Sequence, residues 1–257
     1  MIQLLKRSAT VRRSGAELDK MRKAGRIVAE IKARTREVVK DGVTTLELDK
    51  VARSVIEGHG ARSNFLNYHG FPAVICTSPN SMIVHGIPGS YRLKEGDIIS
   101  IDCGAIWQGY HGDSAFTVGV GSISKEAERL LKVTEASLVE AISVMKDGVH
   151  LHEIGRAVQT LVEAAGMSVV REYVGHGIGT AMHEPPNVPN YWPGNAGPKM
   201  KVGNVFAVEP MVNLKGAETR KLNDGWSVVT ADGSLSAHFE HTIAITEDGP
   251  EVFTADL

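Results

Sequence analysis

The sequence repeats itself once, and the length of that repeat limits what the chain can fold into. Residues 40–49 (Lys40, Asp41, Gly42, Val43 onward) recur as 146–155 (Lys146, Asp147, Gly148, Val149 onward), an offset of 106. Residues 94–102 read in register with 201–209, an offset of 107. Upstream of each copy runs a helical stripe: Leu18, Met21, Ile27, Val28, Ile31 and Val38 in the first, Leu130, Leu131, Val133, Leu138, Ala141, Ile142 and Met145 in the second. A further helix is expected after each Lys-Asp-Gly, over 46–57 and 151–165, stopped by Gly58 or Gly60 and by Gly166. Strands follow in both halves. A period this long is no solenoid. It predicts two pseudo-symmetric α+β halves, about 15–120 and 121–250, within one domain spanning 1–257. They would join in one sheet, with helices on one face and a site on the other.

The repeat places acids in matched positions. Asp102 aligns with Glu209, and the stretch His111, Gly112, Asp113, Ser114 aligns with His238, Phe239, Glu240, His241. The last offset grows to 127 because residues 213–234 are an insertion. Asp102 follows the apolar Ile98, Ile99 and Ile101, which read as a buried strand, and Asp113 opens the next strand. With a turn at Trp107, Gln108 and Gly109, the two aspartates are expected as direct cross-strand neighbours, their Cβ atoms roughly 4.5–5.5 Å apart. That spacing suits a pair of divalent ions about 3.5–4 Å apart. Four converging carboxylates cannot all stay ionised without cations, so a metal site is the expectation.

Histidines add nitrogen donors. His69 and His176 lie 107 apart, each beside glycine, while His85 precedes Gly86 and His183 precedes Glu184 and two prolines. Glycine-flanked histidines read as loop residues approaching a ligand, and imidazole with carboxylates suits Mn, Fe, Co or Zn. Rival motifs fail. Gly175, Gly177 and Gly179 imitate a phosphate loop, but Pro185 and Pro186 stand where a helix should begin. His183-Glu184 lacks the second histidine of a zincin motif.

With 42% hydrophobic residues, 23% charged residues and a formal net charge of -2, composition makes no case for nucleic acid or an anionic membrane. No stretch is long enough to span a bilayer, and Lys6-Arg7 cuts short any signal-peptide core. Cys76 and Cys103 form no disulfide framework, which fits a reducing, cytoplasmic setting. The basic Lys6, Arg7, Arg12, Arg13, Arg22, Lys23 and Arg26 read first as a solvated arm and helix face, and second as a docking patch.

The motifs together resemble type I methionine aminopeptidases over essentially the whole chain. They are Tyr68-His69-Gly70-Phe71-Pro72, Val84-His85-Gly86-Ile87-Pro88, Ile101-Asp102 with Gly112-Asp113, and residues 175–179. His183-Glu184, Val208-Glu209-Pro210-Met211, Asp224-Gly225-Trp226 and Glu240-His241-Thr242 complete the set. The resemblance implies the duplicated pita-bread fold, an α+β fold whose curved, mostly antiparallel sheet is covered by helices on one face. It implies that Asp102, Asp113, His176, Glu209 and Glu240 hold two divalent ions, with Asp113 and Glu240 bridging. Glu209 would also move protons, His183 would stabilise the oxyanion, and His85 would contact the substrate amide. Tyr68, Phe71, Cys76 and Trp226 would line a methionine pocket, with Phe65, Met182 and His69 beside them.

Met182 stands where many relatives carry Phe, Phe65 where some carry a smaller residue, and residues 78–82 also depart from the usual pattern. The implied reaction removes the initiator methionine from nascent chains whose second residue is small. A transient ribosome contact is an accessory expectation, with no membrane and no specific nucleic acid. Two alternatives share the fold: an Xaa-Pro peptidase, and a metal-free protein that only binds partners. The first normally carries a large extra N-terminal domain, and the second predicts lost ligands, whereas all five ligand types are present here.

Overall fold

The structure is a computed structural model, and it describes residues 10–257. Lys6 and Arg7 of the basic region lie outside the described residues. The first half contains α1 (Gly15–Val38), α2 (Thr45–Gly58), β1 (Arg62–Ser63), β2 (Ile75–Pro79), β3 (Met82–Val84), β4 (Ile98–Trp107) and β5 (Tyr110–Gly119). The second contains α3 (Lys125–Ser143), α4 (Glu153–Ala164), β6 (Ser168–Val169), β7 (Gly175–Gly177), β8 (Glu184–Val188), β9 (Val205–Val208) and β10 (Met211–Asn213). The insertion forms β11 (Thr219–Lys221) and β12 (Val228–Thr230), and the chain closes with β13 (Ser236–His238), β14 (His241–Thr246) and β15 (Gly249–Val252).

The four expected helices form where the apolar stripes lie. Thr44 and Glu47 cap α2 reciprocally: Glu47 N donates to Thr44 Oγ1 at 3.2 Å, and Thr44 N donates to Glu47 Oε2 at 2.7 Å. Helix α1 buries Leu18, Met21, Ile27, Val28 and Ile31. It also approaches β5 backbone to backbone, since a Cβ on Gly112 would meet Gly25 N at 3.0 Å. Duplication extends to the torsions. Gly42 and Gly148 take φ of 84° and 82°, and Gly96 and Gly203 both take 92°, so each repeated turn needs its glycine. One large apolar cluster, from Ile27 to Ile245, draws on both halves.

Among the described residues every ladder is antiparallel, and hydrogen bonding runs in four sheets rather than the single one expected. These are β1-β4-β2 with β5 on β4; β13-β10-β6; β11-β12-β3; and β15-β14-β9-β7-β8. Two of them are a single interrupted ladder. Val208 faces His241 and Met211 faces His238 in unchanged register. Between them Pro210 has no N–H to offer, and one bond from Phe239 N to Pro210 O, 3.3 Å, carries the alignment across.

Side-chain hydroxyls join the halves. Asp113 N donates to Thr242 Oγ1 (2.9 Å), which in turn donates to Asp113 O (2.8 Å). Ser114 Oγ donates to Glu240 O, and Thr117 Oγ1 donates to His238 O. The acid-bearing strands of the two halves therefore lie side by side.

The β4–β5 register corrects one expectation. Trp107 pairs with Tyr110, leaving a two-residue turn of Gln108 (φ 49°) and Gly109 (φ 82°), the type I′ geometry of tight hairpins. Asp102 faces Ala115, and Asp113 faces Gly104. The aspartates are diagonal neighbours on one face, not direct partners. In the second half, Glu209 and Glu240 do fall opposite each other, in the gap of the interrupted ladder.

Candidate metal and substrate site

Asp102 and Asp113 enter the site from the middle of β4 and the start of β5, Glu209 from the end of β9, and Glu240 from just before β14. His176 occupies the centre of β7 and is therefore a strand residue, where the sequence pattern suggested a loop. Its flanking glycines answer to crowding: a Cβ on Gly175 would lie 2.4 Å from Ala207 O, and one on Gly177 2.6 Å from Pro185 O. Ligand atoms of Asp113, His176 and Glu240 all lie within 4.8 Å of one another. His176 Nδ1 is hydrogen-bonded to Gly177 O at 2.9 Å, which turns Nε2 toward the acids, 3.6 Å from Glu209 Oε1.

Burial of these groups is electrostatically unfavourable as it stands. It pushes Asp102 up to about 7, and pushes Asp113, Glu209 and Glu240 well above the carboxylate range, with the neighbouring acids adding to the effect. Burial, then His183, lowers His176 to about 3, so its imidazole is neutral and available as a donor. Asp102 Oδ1 and Asp113 Oδ1 are buried without hydrogen-bond partners. Among the described residues no Lys or Arg is in ion-pair range of these acids, and the histidines that are, His176 and His238, are held neutral by burial. Hard oxygen donors, one neutral imidazole and orphaned carboxylate oxygens fit divalent metal.

Above this floor lies a cavity of about 170 Å³, smaller than the roughly 300–1,000 Å³ of drug-sized sites and suited to one side chain. Its apolar wall is Phe65, Tyr68, Phe71, Cys76, Met182 and Trp226. Phe71 meets Phe65 edge-on at 6.4 Å between ring centroids and Trp226 at 5.1 Å. Cys76 sits opposite Asp102 in the β2–β4 register, and burial followed by that acid keeps its thiol protonated. Trp226 comes from the insertion: Asp224 Oδ1 accepts from Trp226 N and Ser227 N, fixing the turn between β11 and β12.

His85 and His183 also line the cavity. His85 takes φ 62°, packs edge-on against Tyr173 and is lowered to about 4 by burial. His183 Nδ1 lies 2.8 Å from Tyr68 Oη, and its ring centroid is 4.2 Å from that of His176. His69 does not line the cavity. It is exposed in the Tyr68–Gly70 turn, edge-on to Tyr68.

One residue of the site was not singled out from sequence. His238 is 1% exposed, and its Nε2 is unpartnered, 3.8 Å from Glu209 Oε2. Its signal was the repeat itself: His238 stands two before Glu240 as His111 stands two before Asp113.

Comparison with known proteins agrees with this geometry. Residues 19–247 match Metallopeptidase family M24. Methionine aminopeptidase 1 of Bacillus subtilis is 52% identical over 238 residues, covering 93% of this chain and 96% of its own length. The methionine aminopeptidase of Clostridium perfringens is 50% identical with the same coverage. A crystal structure of methionine aminopeptidase from Thermotoga maritima superposes with a TM-score of 0.95 at 38% identity, over 96% of this chain and 100% of that one. Matched by the family over most of its length, and by relatives at half identity, the chain belongs to metallopeptidase family M24.

Proposed function

We propose that this protein is a methionine aminopeptidase, a metal-dependent hydrolase that removes the N-terminal methionine of proteins and peptides. The observation that carries the reading is the cluster of Asp113, His176 and Glu240 beneath a one-side-chain cavity walled by aromatics, a thiol and a thioether. Asp102, Asp113, His176, Glu209 and Glu240 would hold two divalent ions, Mn, Fe, Co or Zn. When bound, such ions supply Lewis-acid polarisation of the scissile carbonyl and a lowered pKa for water.

The chain's own groups do the rest. The apolar wall takes the methionine side chain, with its sulfur against ring edges. Glu209, held ionised once cations offset the neighbouring acids, would accept and return a proton. Tyr68 donates its hydroxyl proton to His183 Nδ1, leaving Nε2–H to face the developing oxyanion. His85, neutral at pH 7, donates to the substrate amide. We read residues 1–257 as one catalytic domain acting in the cytoplasm on nascent chains with a small second residue. No helix among the described residues is long and apolar enough to cross a membrane. A transient ribosome contact would fall to exposed Lys23 and Arg26, because Arg13 and Arg22 are engaged in ion pairs within the chain.

The test is turnover of a Met-Gly peptide and of an Xaa-Pro dipeptide by metal-stripped protein titrated anaerobically with Mn, Fe, Co and Zn. Methionine release restored by metal and abolished by Asp113→Ala, with metal binding lost in the same variant, is expected. Turnover of the proline substrate alone, or full activity of Asp113→Ala, would sink the reading.

A further inference from the structure

We infer that Arg13, from the segment before α1, is a positioning residue for the loop that carries Met182 and His183. The inference rests on the aminopeptidase reading for its kinetic consequence, but not for its structural one.

Three backbone carbonyls pin the segment. Arg13 N donates to Gly203 O at 2.7 Å, Arg12 Nε donates to Val202 O at 2.7 Å, and Asn204 Nδ2 donates to Val11 O at 2.8 Å. From that anchor the Arg13 side chain, only 7% exposed, reaches across to form an ion pair with Glu184, itself 11% exposed. The guanidinium lies flat against Gly179, where any Cβ would come within 2.0 Å of Arg13 Nη2. Any larger residue at 179 would have to displace the guanidinium from this path.

Glu184 is the hub of the loop. Its Oε1 accepts from Thr180 N (2.8 Å), Ala181 N (3.1 Å) and Thr180 Oγ1 (3.1 Å), while Oε2 takes Arg13. A carboxylate this enclosed stays turned inward only while a cation balances it. Without Arg13 it would be drawn to solvent and release both loop amides. The two residues held between Ala181 and Glu184 are Met182, 4% exposed in the cavity wall, and His183 at Tyr68. A second tie, from His111 N to Gly179 O at 2.9 Å, fixes the near end of the loop to β5. Arg13 therefore sets where a pocket wall and a hydrogen-bond donor stand without touching the substrate.

The experiment uses the full chain, as wild type, Arg13→Ala, Arg13→Lys, Arg13→Gln and Arg12→Ala. It measures steady-state cleavage of a Met-Ala-Ser peptide, hydrogen exchange over residues 178–186, and Tm. Misplacing a catalytic group by about 1 Å costs up to about a hundredfold. Arg13→Ala should accordingly lose about tenfold to a hundredfold in kcat/KM, with kcat falling as well as KM rising. The Thr180 and Ala181 amides should exchange about tenfold faster, with Tm little changed. Arg13→Lys should recover most of both signals, because the contact to Glu184 is a single one. Arg13→Gln, which removes the charge but keeps most of the side chain, should reproduce the faster exchange, and decides the matter if Arg13→Ala does not fold.

Arg12→Ala removes one of the three pins but leaves the Arg13 N and Val11 O bonds, and should change both signals much less than Arg13→Ala. Unchanged exchange at Thr180 and Ala181 in Arg13→Ala or, where that variant does not fold, in Arg13→Gln overturns the proposal. So does an equal loss in Arg12→Ala, which would mean only that the segment must dock. A wild-type chain that releases no methionine with any metal overturns the aminopeptidase reading, and the exchange result still decides the role of Arg13.

Discussion

Replacing Thr242 with valine isolates the bond that joins the two halves of the fold. Thr242 is fully buried, and valine has nearly its shape, so no cavity opens. What is lost is one hydroxyl that serves both backbone groups of Asp113, at 2.9 Å and 2.8 Å. Those groups point away from β4, since Asp113 faces Gly104 across the hairpin and finds its hydrogen bonds on the Thr242 side. A buried group left unpaired costs about 1–3 kcal/mol. Two such groups, partly relaxed, put the loss at about 2–4 kcal/mol, or about 5–15 °C in Tm for a chain of this size. Guanidinium unfolding of chelator-treated Thr242→Val should show that loss with an unchanged m value, because the surface exposed on unfolding is the same. Thr242→Ser keeps the hydroxyl and should lose only about 1 kcal/mol for its missing methyl. Loss below about 1 kcal/mol in the valine variant, or serine proving as damaging as valine, would show that packing rather than hydrogen bonding holds the seam.

Three other expectations are independent of that one. In metal-free protein, Asp102 is held up at about 7 against an ordinary 3.8. Its folded form therefore keeps a proton that the unfolded form has released, and stability should fall as pH rises from about 4 to 7, by about 4 kcal/mol. Asp102→Asn should make that slope shallower in a urea titration, the remainder coming from Asp113, Glu209 and Glu240, which burial also raises. A slope of opposite sign would refute the burial argument. Trp226→Ala opens the cavity wall and removes an aromatic contact worth about 1.5–3 kcal/mol. Methionine-peptide kcat/KM should drop about 10–100-fold, and an unchanged value would remove Trp226 from the pocket. Burial and the adjacent Asp102 keep the Cys76 and Cys103 thiols protonated. Iodoacetamide at pH 8 should therefore label neither before unfolding, and rapid labelling of either in folded protein would contradict this placement.

The frame of the molecule was legible because the repeat marks it with residues whose torsions are constrained. Gly42 and Gly148, like Gly96 and Gly203, mark equivalent turns, and the helices fall where the apolar stripes predict. The hairpin was misread by one position because Gln108 takes positive φ, a conformation signalled far more strongly by asparagine or aspartate. The single sheet was expected because the pattern shows strands but not the gap at Pro210. At the site, the five candidate ligands and the pocket wall were visible as motifs. His69 misled because its match with His176 is a match of chain position, and only one of the two rings faces the acids. His238 carries no glycine to flag it and lies in an ordinary strand. Its two-residue spacing from Glu240 gains meaning once the strand puts both on the same face.

The hydroxyl seam also dictates an order of events during synthesis. Its bonds join residues 121, 126 and 129 positions apart, so none can form before the chain has been made through His238, and the last waits for Thr242. The first half can pack its helix on its hairpin earlier, because those contacts, such as Gly25 against Gly112, lie within residues 15–119. Closing the seam comes last and bears the entropy of a loop more than a hundred residues long. The chain would therefore spend most of its own emergence without a complete site. Within a few residues of Glu240 leaving the ribosome, it would gain every candidate ligand at once.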